Sequence, residues 1–396
     1  MIIGIEASHA NKSNRTGVEQ VCWHLIQELK NALPKTARVI LYTNKPLQGE
    51  LAIMPDNWSE KVLSWPFSKA WSQIRLSFEL LFNKPDVFFA PGQLVPFICP
   101  KNTITIVHDS AFRAFPSAYG FLSRTYLHWM NKLIVKKSKI IITPTNFSKQ
   151  EFVKYYGFDV ENIAVVPWGV VDNFFDQNSD DHSKSRFSSI LGQKSDPAVI
   201  LPYIISIGRL ERKKNTNGTI RAFSQIKQKL AQTAGDGSIL QNTSKKQYNR
   251  RNNGLKLVLV GSPGVGYDEI EQEIAKSQYK GDIIQLGWVD KELPFLLENA
   301  RLLLFPSIYE GFGLPVLEAM ASKCPAVLSD IPALKEAGNN AVLFADPNDY
   351  ADLAEKTLLL LEDEQLRQKM IHLGFARAQE FSWLNSAKKV GEVLIN

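Results

Sequence analysis

Cysteine is scarce in this sequence. Cys22, Cys99 and Cys324 are far apart, odd in number and set among apolar neighbours, which excludes a disulfide framework and a Cys-x-x-Cys metal site and fits a reducing compartment. Long apolar runs are missing too. No stretch reaches eighteen apolar residues, so no spanning helix is expected. The opening Met1-Ile2-Ile3-Gly4-Ile5-Glu6 turns polar too soon for the apolar core of a signal peptide. The expectation is a cytoplasmic protein, soluble or peripheral at the inner face of the cell membrane. Zinc-finger spacing, a basic zipper and aromatics interleaved in a basic strand are also lacking, so nucleic acid is not an expected partner despite a formal net charge of +6. An anionic ligand and an anionic membrane surface remain as sources of that charge.

What is present belongs to a folded enzyme-sized chain. Hydrophobic residues make up 44% and charged ones, 22%, are dispersed, which argues against disorder. At 396 residues the chain exceeds what one core usually organises, so two domains are expected. Short apolar, β-branched runs at 2–5, 39–42, 87–89, 103–107 and 140–143 read as buried strands. Segments 18–33, 68–82, 117–136 and 146–156 carry apolar residues at helical spacing. This alternation predicts a parallel α/β sheet.

The pattern breaks at the Asp- and Ser-rich stretch 176–185 and resumes with strand-like runs at 200–207, 255–260, 283–286, 302–305 and 326–328. A second α/β unit follows from it. The predicted divisions are an N-terminal domain 1–175, a linker 176–199, a C-terminal domain 200–380 and a terminal helix 381–396. Segment 231–254 is polar and basic, either a tolerated surface loop or an arm for an anionic partner. The tail offers Phe381, Trp383, Leu384, Val390 and Leu394 at roughly helical spacing and is expected to pack back on the body.

In open α/β sheets, ligands bind beyond the carboxyl ends of strands, where loops and helix N-termini present free backbone N–H groups. The strand 302–305 ends on such a loop, with Glu310, Gly311, Phe312 and Gly313 leading into a helix at Leu314 and Pro315. Glycines there let backbone approach a ligand closely, and the helix start favours a diphosphate. Glu310 has the chemistry to accept hydrogen bonds from sugar hydroxyls, and Glu318, within the first turns of the helix, to grip the two hydroxyls of a ribose. The plainer alternative makes Glu318 a carboxylate favoured near a helix start and Glu310 an ordinary loop residue.

The run Ser307-Ile308-Tyr309-Glu310-Gly311-Phe312-Gly313-Leu314-Pro315-Val316-Leu317-Glu318-Ala319-Met320-Ala321 resembles the Glu, seven residues, Glu signature of retaining glycosyltransferases with the GT-B fold, specifically glycosyltransferase family 4. The resemblance covers essentially the whole chain and implies two Rossmann-like domains facing an interdomain cleft, with the C-terminal helix packing back on the N-terminal domain. Donor binding falls to the C-terminal domain and acceptor binding to the N-terminal one. Within the segment from Ser206 to Asn215, Arg209 and Lys214 match the family's diphosphate-holding cations. Gly17, in Arg15-Thr16-Gly17-Val18-Glu19, is similar to the family glycine that lets a helix start approach the diphosphate, although a second nearby glycine is lacking. His108, closing a strand before Asp109, resembles the histidine beside the donor sugar; Asp109 is read as a donor-side residue, with orienting His108 or capping the next helix as alternatives. Val289, after Gly287 and Trp288, matches a turn contacting the nucleobase through its backbone, and Trp288 is read as core.

Family membership further implies retention by front-face attack, with the leaving phosphate helping to deprotonate the acceptor. No Asp-x-Asp motif is present, so neither metal nor cofactor is expected and the nucleotide-sugar is a substrate. The His108-Asp109 strand end and the segment from Val166 to Val170 most resemble mannosyltransferases of bacterial surface polysaccharides, which makes GDP-mannose the expected donor and a glycan or lipid-linked molecule the expected acceptor. A UDP-sugar-dependent transferase, a nucleotide-sugar epimerase or phosphorylase, and a non-catalytic sugar-nucleotide or glycan-binding protein are the competing readings. Segment 121–139, apolar at Phe121, Leu122, Tyr126, Trp129, Leu133 and Ile134 and then basic at Lys136, Lys137 and Lys139, reads either as a membrane-resting helix or as one covering the sheet.

Overall fold

A computed structural model of the chain describes residues 1–13, 15–67, 70–176, 202–235 and 254–396, with backbone alone at 233–235. Apart from their edge residues, the linker expected at 176–199 and the basic insertion expected at 231–254 lie outside the described residues. The chain divides into two compact units, residues 1–169 with 381–396, and residues 170–380.

The first unit is built on a seven-stranded sheet ordered β3-β2-β1-β4-β5-β6-β7, comprising Trp58–Val62, Arg38–Thr43, Ile2–Glu6, Val87–Ala90, Thr103–Ile106, Ile140–Thr143 and Ile163–Val165. Every pairing is parallel. Ile3, Ile5, Leu41, Phe88, Phe89, Ile104, Ile141 and Ile142 are buried, as strands covered by helices on both faces require. The strands missing from the sequence reading, β3 and β7, are edges. Their polar or very short runs (Trp58-Ser59-Glu60-Lys61-Val62 and three residues at Ile163) leave little apolar signal because only one neighbour and one face need covering.

The second unit holds a six-stranded parallel sheet ordered β10-β9-β8-β11-β12-β13, comprising Ile283–Gly287, Lys256–Val260, Tyr203–Ile207, Leu302–Phe305, Ala326–Ser329 and Leu343–Ala345. Its core gathers Ile204, Leu257, Leu259, Leu302, Leu304 and Val327 with Phe223 and Ile226 from the helix Thr216–Gly235. Residues 170–175, assigned to the first domain by the sequence, pack here instead. The Phe174 carbonyl accepts the Ser322 hydroxyl at 3.3 Å, and Phe175 meets Phe375 edge-on at 5.7 Å. A polar stretch marks where apolar content stops, not where the chain changes packing partner.

The tail helix Trp383–Ile395 belongs to the first unit and lies along the helix Gly17–Ala32. Trp383 stacks on His24 at 4.8 Å and on Trp168 at 6.3 Å, while the Ser386 hydroxyl donates to the Pro167 carbonyl at 2.6 Å. Gly169 is obligatory there, since a Cβ would come within 2.1 Å of the Trp383 backbone nitrogen.

Two predicted helices differ in detail. Segment 68–82 becomes a π-helical stretch, Trp71–Leu76, running into Ser77–Phe82. Segment 117–136 begins as a separate turn, Pro116–Ala118, with the helix proper at Phe121–Lys137. Its first residues, Phe121 and Leu122, are 76% and 81% exposed. Only its later part, through Met130 and Ile134, covers the sheet.

Candidate nucleotide-sugar site

Each sheet reverses its strand order once, between β1 and β4 in the first unit and between β8 and β11 in the second. At such a reversal the loops leaving adjacent strands diverge and open a crevice beyond their carboxyl ends. Of the sequence-predicted residues, Gly17 follows β1, Arg209 and Lys214 follow β8, and the segment from Glu310 follows β11, whereas His108 and Asp109 follow β5 and Val289 follows β10.

In the second unit, β8 ends at Ile207 and β11 at Phe305. Gly208, with φ +138°, turns the chain out of β8, and Gly261, with φ +146°, does so after β9. A Cβ on Gly261 would sit 1.9 Å from the Gly208 carbonyl oxygen, so the two loops can approach only because that side chain is missing. Leu210 donates its N–H to the Ser262 carbonyl and accepts that of Gly264, both at 2.9 Å, fixing the loop that follows. Asn215, in left-handed conformation at φ +55°, caps the next helix through Gly218 N–H at 3.2 Å and donates to the Pro347 carbonyl at 2.7 Å. The Ile308 N–H then donates to the Lys213 carbonyl at 2.9 Å, latching this loop to the one after β11.

That latch brings Lys214 against Glu310. The Lys214 ammonium donates to Glu310 Oε1 in a part-buried ion pair, and lies 5.1 Å from the centre of the Phe305 ring. Glu310 is 7% exposed, and that ion pair offsets the cost of burying its carboxylate. Arg209 is different. Its side chain is 64% exposed and only 3.8 Å from the Glu211 carboxylate, leaving its donors available to a ligand. Gly313, with φ +101°, is the residue before the helix Leu314–Ala321, and its Cβ would strike the Leu334 side chain at 2.7 Å. Gly311 and Phe312 are buried beside it.

Glu318 lies one turn into that helix. Burial, with a smaller contribution from the charge of Asp290, pushes its carboxyl up to about 7. The Asp290 effect sets the turn at Val289 near the helix. Val289 is half-buried there, but Trp288 is 50% exposed and not a core residue as its size suggested. Arg209, Lys214, Glu310, Gly311, Phe312, Gly313, Leu314, Val289 and Glu318 thus all lie in the second unit. Together they offer cations, opened backbone, a helix start and two carboxylates, which is what a nucleoside diphosphate bearing a sugar requires.

The first unit carries the rest. Gly17 opens the helix Gly17–Ala32, is exposed, and would meet no protein atom within 4 Å if it bore a Cβ. The helix start is fixed by Glu19, which accepts the Thr16 N–H at 3.2 Å and the Lys12 ammonium at 2.7 Å. His108 is held by Gln93, whose Oε1 accepts the His108 N–H at 3.1 Å. Its ring Nε2 meets the Pro91 carbonyl at 3.0 Å, and burial lowers its pKa to about 4. The neutral ring therefore donates from Nε2 to Pro91 and presents Nδ1 as an acceptor only. Asp109 caps the following turn, accepting the Ala111 N–H at 3.0 Å. That contact fits the capping alternative, and the Asp109 charge also acts on the His108 ring.

Sequence reading passed over Glu6 and His9. Glu6, the last residue of β1, is 1% exposed and pairs with His9 Nδ1 at 2.9 Å. The available signal was a carboxylate closing an apolar strand, which burial makes costly without a partner.

Two doubly wound parallel units, one with a cation–carboxylate pair and glycine-opened loops at its switch point, define the GT-B class of glycosyltransferases. Residues 15–174 match the family model described as Glycosyltransferase Family 4, and residues 193–376 the one described as Glycosyl transferases group 1. The chain belongs to the glycosyltransferases of family 4 and is an enzyme of that class.

The sequence is similar to the O-antigen chain mannosyltransferase B of Escherichia coli, 26% identical over 335 residues that cover 81% of this chain and 75% of that protein. It is also similar to the O-antigen chain mannosyltransferase RfbU of Salmonella typhimurium strain LT2, 25% identical over 288 residues covering 72% and 67%. In fold it is similar to WaaG, a glycosyltransferase involved in lipopolysaccharide biosynthesis, with a TM-score of 0.70 at 14% identity over 100% of this chain and 99% of that one. Anabaena Alr3699/HepE in complex with UDP-glucose gives a TM-score of 0.71 at 17% identity over the same shares.

Proposed function

We propose that this glycosyltransferase moves a hexose, specifically mannose from GDP-mannose, onto a glycan or lipid-linked acceptor in surface polysaccharide synthesis. The observation that carries the site is the Lys214–Glu310 pair at the switch point of the second sheet. A donor diphosphate arriving there takes hydrogen bonds from Lys214 and Arg209, and the released Glu310 oxygens accept from hydroxyls of the sugar. Negative charge grows on the diphosphate as the bond from the anomeric carbon to its oxygen breaks. Fixed cations and the start of the helix Leu314–Ala321 stabilise that charge, which lowers the barrier. The acceptor oxygen bonds to the same face of the anomeric carbon and passes its proton to the leaving phosphate oxygen. Configuration is retained, and no metal ion is needed because protein cations meet the diphosphate. The choice of mannose is supported by the named activity of the two bacterial relatives, O-antigen mannosyl transfer.

The test is a donor screen with GDP-mannose, UDP-glucose and dTDP-glucose, reading binding and slow donor hydrolysis in the presence of EDTA. GDP-mannose is expected to bind tightest and to turn over at an unchanged rate when EDTA is added. Preference for UDP-glucose, or loss of turnover in EDTA, contradicts the donor or the metal-free assignment respectively.

The same reading places the enzyme at an anionic membrane surface, where a lipid-linked acceptor resides. Its support is the exposed start of the helix Phe121–Lys137: Phe121, Leu122, Tyr126 and Trp129 face outward, with Phe97 set edge-on to Trp129 at 5.5 Å, and Lys136 and Lys137 follow. Aromatics flanked by lysines suit the headgroup layer of an anionic bilayer. Among the described residues no helix is long and apolar enough to cross one.

A further inference from the structure

At the switch point of the first sheet, the loops after β1 and β4 bring together Glu6, Ser8 and His9 with Pro91 and Gly92. Glu6 Oε1 accepts the Ser8 N–H at 2.9 Å and also the Ser8 hydroxyl, while Oε2 meets His9 Nδ1 at 2.9 Å. Burial opposes both charges. The mutual pairing outweighs it, so the Glu6 carboxyl lies below its ordinary value and the His9 imidazole above its own. His9 is therefore oriented by a carboxylate through one nitrogen, and its Nε2 meets no hydrogen-bonding partner among the described residues. The His9 side chain is 18% exposed.

Gly92 makes room for this arrangement. A Cβ there would lie 2.7 Å from His9 Nδ1, so the ring occupies the space any larger residue would fill. His108, at the end of the neighbouring strand β5, commits its Nε2 to Pro91, whereas His9 commits Nδ1 to Glu6 and keeps Nε2 open to a ligand hydroxyl. His9 meets the Glu6 carboxylate, and the nearby Lys12 is already paired with Glu19 at 2.7 Å, so the edge offers no surplus cation. Such a site matches a neutral hydroxyl and not a phosphate, which needs surplus cations.

We propose that His9, held by Glu6 over Gly92, binds a hydroxyl of the acceptor sugar, with Glu6 as its positioning residue. This inference rests on the transferase reading above. It assigns part of the acceptor's recognition to the switch point of the first sheet, where open α/β sheets characteristically take ligands.

The test uses the full chain and a panel of octyl glycosides of mannose, glucose, galactose and N-acetylglucosamine as acceptor probes, with binding read by saturation-transfer NMR. Binding of at least one glycoside is expected to weaken about tenfold in His9→Ala, the loss of one hydrogen bond from a part-buried group. His9→Gln, which keeps a donor, restores part of it. Gly92→Ala, which displaces the ring without removing a polar group, should weaken the same glycoside, and inorganic pyrophosphate should not compete for the site. Thermal unfolding of each variant separates lost binding from lost folding. Equal affinity in wild type and His9→Ala, or no glycoside bound by the wild type, overturns the proposal. Failure of GDP-mannose, UDP-glucose and dTDP-glucose alike to bind the wild type instead defeats the transferase reading itself.

Discussion

At the scale of single residues, Glu318 gives the sharpest consequence. Its carboxyl titrates near 7 because burial, and secondarily Asp290, disfavour its charge. A carboxyl raised above its unfolded value holds its proton longer in the fold. Its contribution to stability is thus present at low pH and falls as pH rises from about 4.5 to 7. If the ribose hydroxyls are bound by the carboxylate, donor binding must release that proton. GDP-mannose, which has no phosphate titrating in this range, should then bind about tenfold tighter at pH 8 than at pH 6. Glu318→Gln should flatten the dependence, and a flat profile in the wild type would show that the carboxylate does not contact the donor. The motifs single out Glu310, Glu318, Arg209 and Lys214, and all four lie in the second unit. The ion pair between Lys214 and Glu310 was not legible, because it depends on the backbone bond from Ile308 to Lys213, a contact across 95 positions that no local pattern encodes.

At the scale of elements, the loops after β8 and β9 hold their course through glycines whose absence of a side chain is a packing requirement. Gly261→Ala places a methyl 1.9 Å from the Gly208 carbonyl and forces a side chain into φ +146°. Strain and overpacking together predict a loss of about 2–5 kcal/mol, measurable by urea denaturation, with weaker donor binding as the β8 loop is pushed away. A loss under about 0.5 kcal/mol, the size usual for surface changes, would mean the loops relax freely. The central strands were legible from sequence because burial on both faces demands continuous apolar runs such as Leu302-Leu303-Leu304-Phe305. The edge strands β3, β7 and β13 were not, since half-exposed short strands need no such run. The π-helical stretch Trp71–Leu76 was read as ordinary helix because its spacing departs from α-helical period over only six residues.

At the scale of the whole molecule, alternation of strands and helices made two α/β units legible, and the tail's apolar spacing made its docking legible. The place where the chain passes from one unit to the other was not, since Phe174 and Phe175 join the second core ahead of the polar stretch. Association with a membrane belongs to this scale as well. Flotation with vesicles containing anionic lipid should carry the protein upward, and neutral vesicles should carry less. Replacing Phe121 and Leu122 by serine should abolish flotation, because together they expose most of the helix's apolar surface. No flotation with either vesicle would remove the membrane reading while leaving the transferase site intact.

That site is tested most directly by turnover of GDP-mannose in Lys214→Ala and Glu310→Ala, compared with the wild type under identical conditions. Each substitution should lower donor turnover by about 10²–10³-fold, the size seen when one preorganised charge-stabilising group is lost. The double variant should lose little more than either alone, because the two residues act as a pair. Turnover unchanged in both single variants would contradict the assignment of the Lys214–Glu310 pair as the donor-binding centre.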